Sequence, residues 1–151
     1  MKVEVASGQQ WPDDVERLLR SLPEWFGIES AIVEYTESVA ALPTFAVGDD
    51  AFLSLKLHFP TAAEVYVMGV RPHRHRHGLG TELIHAAEDS LSARGVEYLQ
   101  VKTLSASRAS EHYARTRRFY DAVGFRPLEE IPELWDESNP CLILVKHLTC
   151  R

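Results

Sequence analysis

The pattern of hydrophobic and polar positions predicts a chain that alternates between helices and strands. Near the start, Val3 and Val5 alternate with polar residues, as in a short strand. A helical spacing begins after Pro12 and stops at Pro23, and a second helix is predicted from about residue 28 to residue 42. The apolar positions that carry the first helical pattern are Val15, Leu18, Leu19 and Leu22.

From residue 43 onwards the spacing is that of strands joined by short turns. Strands are predicted at 44–47, 52–57 and 64–70, with a turn at Gly48-Asp49-Asp50 between the first two. Connections this short join antiparallel strands. The first part of the sheet is therefore predicted to be antiparallel.

A strongly amphipathic helix follows the third of these strands and ends near Gly95. It precedes a strand at 98–101, a helix at about 109–123 and a final strand at 141–145. We expect one α/β domain over residues 1–151, with a mixed, mostly antiparallel sheet of about six to seven strands and about four flanking helices. In the amphipathic helix, Leu79, Leu83, Ala86, Ala87 and Leu91 share the apolar face, and Glu82, Glu88 and Asp89 lie off it.

Composition and charge exclude several classes of protein. The 151 residues are 45% hydrophobic and 25% charged, which is typical of a folded globular chain. Cys141 and Cys150 lack metal-type spacing and suit a reducing, cytoplasmic location. No signal peptide or membrane-spanning run is visible, so no membrane partner is predicted. The net charge of −6 argues against nucleic acid as a partner.

A basic stretch from Arg71 to His77 interrupts this acidic chain and leads directly into Gly78-Leu79-Gly80. A strand, a Gly-x-Gly turn and a helix start form an anion site, because glycines allow close approach and free backbone N–H groups point at the ligand. Arg74 and Arg76 add positive charge. A Walker loop and a dinucleotide fingerprint both fit poorly, since Gly-Lys-Ser/Thr is absent and Leu83 occupies the third small position.

Alternating histidines in the basic stretch suggest a metal site at first sight. His73, His75 and His77 could face one way on an extended segment. No nearby acid or cysteine completes a ligand shell, so no metal is predicted.

Two motifs resemble the GNAT N-acetyltransferase superfamily. The segment from Val70-Arg71-Pro72 to Gly78-Leu79-Gly80 is similar to the family hallmark Gln/Arg-x-x-Gly-x-Gly/Ala, with His75 at the Gln/Arg position. The segment 119–125, Phe-Tyr-Asp-Ala-Val-Gly-Phe, is similar to the family's Phe-Tyr-x-x-x-Gly-Phe. Tyr113 and Thr116 stand where the family often has Asn and Ala, and the closing segment resembles a bacterial subgroup.

The resemblance implies a GNAT fold and acetyl-CoA as co-substrate. Backbone amides of the glycine turn would bind the coenzyme A pyrophosphate, and backbone groups at the end of the preceding strand would hold the pantetheine arm. Arg115, Arg117 and Arg118 are expected mainly on the exposed side of the late helix. The expected coenzyme-binding residues are Met68, Gly69, Val70, His75, Arg76, His77, Gly78, Leu79, Gly80, Thr81, Tyr113 and Thr116.

Acetyl transfer to an amine needs a base for the amine proton and an acid for the leaving thiolate. Tyr120 is the candidate acid, because a phenol with a pKa of about 10 is protonated at neutral pH; the alternative is a tyrosine that only packs the core. Glu64 is the candidate base; the alternative is a solvent-facing strand glutamate.

The acceptor side is less defined by the sequence. Trp25, Phe26 and Glu29 lie where helices of this superfamily border the acceptor, although an aromatic core is the alternative. An acidic run could steer a cationic amine or form a solvated loop. Its residues are Glu129, Glu130, Glu133, Asp136 and Glu137.

These observations predict an enzyme, an N-acetyltransferase that joins acetyl-CoA and the primary amine of a small molecule, or of a peptide, in a ternary complex. The departures at His75, Tyr113 and Thr116 keep open an inactive acyl-CoA-binding sensor on the same fold. Another phosphate-ligand protein is a third possibility. A homodimer is a possible assembly.

Overall fold

The structure is a computed structural model that describes residues 3–6 and 11–148. Over those residues the sheet has seven strands, hydrogen-bonded in the order β1-β2-β3-β4-β5-β7-β6. The predicted α/β class with a mixed sheet and four helices is confirmed. The elements are β1 Glu4–Ala6, α1 Trp11–Arg20, α2 Glu29–Val39, β2 Thr44–Val47, β3 Ala51–Phe59, β4 Ala62–Val70, a 3-10 turn Pro72–Arg74, α3 Leu79–Ala93, β5 Tyr98–Leu104, α4 Glu111–Ala122, β6 Arg126–Asp136 and β7 Asn139–His147.

Internal contacts divide the chain into two compact units. The first consists of Met1–Lys56 and Val65–Ser90, and the second of Leu57–Glu64 and Leu91–Arg151. Strands β3 and β4 each contribute residues to both units. The expected single domain over 1–151 stays a prediction.

The first unit contains an antiparallel meander and the two N-terminal helices. Strand β2 pairs with β1 and with β3, in a register that runs from Thr44 opposite Ser54 to Val47 opposite Ala51. Buried apolar side chains fill the space between these elements, and each buried leucine contributes about 2 kcal/mol to folding. The core residues are Val15, Leu18, Leu19, Leu22, Ile32, Val39, Ala46, Phe52 and Val67.

The second unit is built on antiparallel pairs of β7 with β5 and with β6. The β5–β7 register runs from Tyr98 opposite His147 to Leu104 opposite Cys141. At the start of β4, the carbonyl of Thr61 accepts hydrogen bonds from the backbone N–H groups of Glu97 (2.8 Å) and Tyr98 (3.0 Å). Helix α4 has Ser110 as its N-cap, whose hydroxyl accepts from the N–H of Tyr113.

The apolar face of α3 is largely as predicted, with one correction. Leu79, Leu83, Ala87 and Leu91 are buried. Glu88, which was expected off that face, is only 4% exposed. Glu88 follows Ala87 directly and is buried as well, so the buried face of α3 is wider than the predicted apolar stripe.

The acidic run near Trp135 was expected to be a loop, and this expectation is wrong. Residues 126–136 form strand β6, which lies last in the hydrogen-bonded order and pairs with β7 alone. Ten of its eleven side chains are exposed, and these include the large apolar residues Leu128, Leu134 and Trp135 as well as charged residues. None of the helices within residues 3–6 and 11–148 is both long and apolar enough to cross a bilayer.

Candidate functional site

The loop between β4 and α3 has the geometry of an anion-binding turn. Arg76 (φ 65°) and Gly78 (φ 79°) both adopt left-handed backbone conformations, which only glycine reaches without strain. Helix α3 begins immediately afterwards, and its first internal hydrogen bond joins the N–H of Glu82 to the carbonyl of Gly78. The N–H groups of the residues before Glu82 are therefore not used by the helix ladder.

Acidic residues in the β2–β3 turn hold this loop in place. The backbone N–H of Arg71 donates to the carbonyl of Asp50 (2.8 Å), and its Nε donates to the carbonyl of Asp49 (2.8 Å). Arg74 Nη1 lies 2.7 Å from Asp50 Oδ2. Because Asp50 neutralises Arg74, the expectation that this arginine adds free charge beside a pyrophosphate is corrected. Arg76 and His77 are exposed.

His75 joins the loop to two other parts of the first unit. Its Nε2 lies 2.7 Å from the carbonyl oxygen of Val70, and its ring meets the edge of Trp25 at a centroid distance of 5.7 Å. His75, which departs from the family pattern, thus packs against Trp25 and donates a hydrogen bond to the carbonyl oxygen of Val70, the last residue of β4.

Gly69 is required by packing on one side of β4. A Cβ atom at this position would lie 2.7 Å from Leu18 Cδ2, 3.3 Å from Leu22 Cδ1 and 3.4 Å from a ring carbon of Phe52. Helix α1 therefore approaches the backbone of β4 closely at Gly69.

The predicted acceptor residues fall into two environments. Trp25 and Phe26 are partly buried against the first core, and Phe26 forms an edge contact with Tyr35, which itself meets Tyr66 at 5.4 Å. We call the rings of Trp25, Phe26, Tyr35 and Tyr66 the aromatic wall. Their arrangement agrees both with a border of the acceptor site and with an aromatic core. Glu29 instead forms a bidentate pair with Arg20 (2.7 and 2.8 Å), and this guanidinium lowers the pKa of the carboxyl.

Glu64 lies in a buried polar cluster of the second unit. Its side chain is 7% exposed, so the solvent-facing alternative is wrong. His58 Nε2 lies 2.7 Å from Oε1, and Lys102 Nζ donates to both carboxylate oxygens at 3.0 and 3.1 Å. Cys141 lies in the field of these charges, and its burial raises the pKa of the thiol.

Sequence reasoning missed His58 and Lys102 for an identifiable reason. The predicted strands ended at residues 57 and 101, each one residue short of these side chains, whereas β3 continues to Phe59 and β5 to Leu104. The short connection from β3 to β4 was a usable signal, because it places polar residues near the ends of both strands close together.

Tyr120 is buried on α4, with 6% of its surface exposed. Its ring meets those of Phe119 (5.3 Å) and Phe125 (5.5 Å), so the residue packs in the core, and its role as the acid stays a prediction. Burial raises the pKa of the Tyr113 hydroxyl, and Arg108 opposes this shift. Thr116 donates to the carbonyl of His112 within the helix.

Arg117 does not lie on the exposed side of α4. It is partly buried, and its Nη1 donates to the carbonyl of Leu104 at 2.6 Å, which ties α4 to the end of β5. Arg115 and Arg118 are exposed, as predicted.

Ser105, after β5, donates to Glu130 of β6 at 2.6 Å and Ser107 donates to the same oxygen at 2.8 Å.

The structure thus groups the predicted residues into two sets. The set in the first unit contains the basic loop, the end of β4 and the aromatic residues. The set in the second unit contains Glu64 with its partners and the α4 residues Tyr113, Thr116 and Tyr120. Among residues 3–6 and 11–148, no group of three His, Cys, Asp or Glu side chains is arranged to hold a metal ion.

Comparisons with known proteins give the family of this chain. Residues 6–125 match the sequence model of the Acetyltransferase (GNAT) family. A mycothiol acetyltransferase from Beutenbergia cavernae is 39% identical over 84 residues, which cover 54% of this chain and 26% of that protein. The chain thus matches about a quarter of the length of this curated relative.

Solved structures share the fold over almost the whole chain. A GNAT-family protein from Desulfovibrio desulfuricans has a TM-score of 0.82 at 18% identity, with 98% of this chain and 99% of that chain covered. An aminoglycoside 6'-N-acetyltransferase complexed with coenzyme A has a TM-score of 0.78 at 18% identity, covering 100% and 99% of the two chains. With the glycine turn between β4 and α3 and a family match over residues 6–125, the chain belongs to the acetyltransferase (GNAT) family.

Proposed function

We propose that this protein is an acetyl-CoA-dependent N-acetyltransferase that transfers the acetyl group to the primary amine of a small molecule. The observation that carries the proposal is the turn from β4 into α3, with left-handed Gly78 and first-turn N–H groups that the helix ladder does not use, in a chain that matches an acetyltransferase family. Members of that family use acetyl-CoA, and one structural neighbour holds coenzyme A.

The pyrophosphate of the coenzyme would lie at the start of α3. Backbone N–H groups of Gly78, Leu79, Gly80 and Thr81 supply donors, and the helix dipole favours the negative charge. The exposed Arg76 adds side-chain charge from the same loop, and the exposed His77 adds a ring N–H donor. Backbone groups of Met68, Gly69 and Val70 would hold the pantetheine arm, with Tyr113 and Thr116 as further contacts.

The reaction needs no covalent enzyme intermediate. The neutral amine attacks the thioester carbonyl, the C–N bond forms, the C–S bond breaks, and the thiolate takes a proton from the Tyr120 hydroxyl. Backbone N–H groups at the end of β4 would stabilise the oxyanion. Glu64 and its hydrogen-bonded partners form the candidate basic group that draws the proton from the amine.

The acceptor would approach the aromatic wall in which Trp25 and Phe26 lie. Partly buried rings give an amine with an apolar or aromatic body a surface on which to pack. The names of two similar proteins include mycothiol and aminoglycoside 6'-N-acetylation, so a small amine is the class to test first. A cytoplasmic location and a homodimer belong to the same proposal.

Thiol release tests this function. Purified protein is incubated with acetyl-CoA and each member of an amine panel, and free coenzyme A is measured alongside the melting temperature. Acetyl-CoA is expected to raise the melting temperature, because a ligand that binds only the native state stabilises it. Binding without thiol release for every amine would favour the acyl-CoA sensor, and absence of binding would exclude both.

A further inference from the structure

A three-strand cluster with a buried carboxylate at its centre offers a route for the proton that acetylation releases. The cluster consists of His58 from β3, Glu64 from β4 and Lys102 from β5, and all three residues belong to the second unit. Glu64 is its least accessible member, with 7% of the side chain exposed, whereas His58 is 31% and Lys102 25% exposed. The histidine thus connects a buried carboxylate with solvent.

Glu64 is poorly arranged to take a proton itself. Both of its oxygens accept from Lys102, and Oε1 also lies 2.7 Å from His58 Nε2. Three of the about four lone-pair positions of the carboxylate are thus already used, two on Oε1 and one on Oε2. Lys102 also neutralises the charge of Glu64, so the carboxylate is not a free anchor for an ammonium group.

His58 has the chemistry that Glu64 lacks. When Nε2–H of the neutral ring donates to Glu64, Nδ1 keeps a free lone pair and is the acceptor atom. An imidazole with an ordinary pKa of about 6.5 changes charge close to working pH. A carboxylate that orients a histidine and stabilises its imidazolium form is a recurrent catalytic arrangement.

We propose that His58 is the proton acceptor of the acetylation reaction and that Glu64 is a positioning residue for it. The inference rests on the proposed function. The acceptor ammonium transfers one proton, through water, to His58 Nδ1, and the resulting amine attacks the thioester. The second proton that the nitrogen loses as the amide forms restores the Tyr120 hydroxyl, which has protonated the leaving thiolate. The imidazolium, paired with Glu64, then releases the proton to solvent. One proton leaves for each acetyl group transferred, which balances the conversion of ammonium and thioester into amide and thiol.

The substitution His58→Gln tests this role. Glutamine keeps a donor for Glu64 but cannot accept a proton at neutral pH. We expect kcat to fall by about 100-fold, the lower end of the range for general base catalysis, with KM for acetyl-CoA nearly unchanged. His85→Gln on the exposed surface of α3 is the matched control and should keep the wild-type kcat.

Two further readouts separate a proton acceptor from a structural residue. Added imidazole should restore turnover to His58→Ala, and this variant stands in if His58→Gln folds poorly. In Glu64→Gln, kcat should fall while KM for acetyl-CoA stays nearly unchanged, because the ring loses the carboxylate that orients it while Lys102 remains. The thiol of Cys141 also lies in the field of Glu64 and Lys102.

A failure of the His58 proposal can be told apart from a failure of the proposed acetyltransferase function. If the wild-type protein releases thiol but His58→Gln is equally fast, His58 is not the proton acceptor and the acetyltransferase proposal stands. The same holds if imidazole fails to rescue His58→Ala or if kcat is unchanged in Glu64→Gln. If the wild-type protein acetylates no amine, both proposals are overturned.

Discussion

Tyr120 provides the hydroxyl that the proposed reaction uses as a proton donor. In Tyr120→Phe the ring should keep its contacts with Phe119 and Phe125, so the melting temperature should change little. We expect kcat to fall by about 100-fold because the thiolate loses its acid, while KM for acetyl-CoA stays close to wild type.

Steady-state thiol release measures this effect. Tyr98→Phe, which removes a hydroxyl from an exposed tyrosine, is the matched control. Normal turnover in Tyr120→Phe would show that Tyr120 is not the proton donor and only packs the core.

Gly69 lies where α1 approaches β4 most closely, and its substitution should cost stability. Gly69→Ala places a methyl group 2.7 Å from Leu18 Cδ2 in a filled core. Because neighbouring side chains are buried and cannot move freely, we expect a loss of about 1–3 kcal/mol in the free energy of unfolding. Denaturant unfolding measures this loss.

A double variant checks the cause of that loss. Leu18→Val removes the clashing atom, so Gly69→Ala/Leu18→Val should be less destabilised than the sum of the two single variants. Additive losses would show that the contact with Leu18 is not responsible.

Among the elements, β6 is joined to the segment after β5 by hydrogen bonds of Glu130. These bonds contribute to the free energy of unfolding in a pH-dependent way. Donation from Ser105 and Ser107 lowers the pKa of this exposed carboxyl below its ordinary value. The folded state therefore favours ionised Glu130. This stabilisation is present at neutral pH and is lost as the pH falls through the acidic range below about 4.3.

The double variant Ser105→Ala/Ser107→Ala tests this interaction. We expect the pKa of Glu130, followed by carboxyl NMR titration, to rise towards the ordinary value. An unchanged pKa would mean that the two serines do not hold the carboxylate in solution.

The elements that the sequence predicts well are those with buried side chains. The pattern located β2 at its actual bounds, and α3 and α4 to within a few residues, because each combines an apolar stripe with glycine or proline punctuation. Strand β6 has polar residues on both faces and two prolines, so no period of two identifies it. Its strand conformation depends on pairing with β7, which a local pattern does not contain.

The sequence predicts the part of the candidate site that depends on backbone conformation, namely the glycine turn. The glycine turn follows from sequence spacing because φ values near +79° at Gly78 need glycine. The partners of Glu64 depend on which strands are neighbours, so His58 and Lys102 could not be derived from periodicity alone. The pairing of Arg74 with Asp50 is likewise a tertiary contact between segments distant in sequence.

For the molecule as a whole, the net charge of −6 includes one local exception in the loop from Arg71 to His77. The structure makes this exception smaller than the sequence indicates, since Asp50 pairs with Arg74 and lies 3.5 Å from His73. The exposed Arg76 remains as a positive group for an anionic coenzyme next to the start of α3, whereas Arg71 donates its Nε–H to the carbonyl of Asp49. Recognition of pyrophosphate would therefore depend chiefly on backbone N–H groups.

The most direct test of acetyl transfer follows the acetyl group itself. The protein is incubated with acetyl-CoA carrying a deuterated acetyl group and a pool of primary amines, and products are identified by mass spectrometry. The account predicts that at least one amine gains the labelled acetyl group, with one coenzyme A released for each acetyl group transferred. If the coenzyme binds but no amine in the pool gains the label, the proposed N-acetyltransferase activity is contradicted.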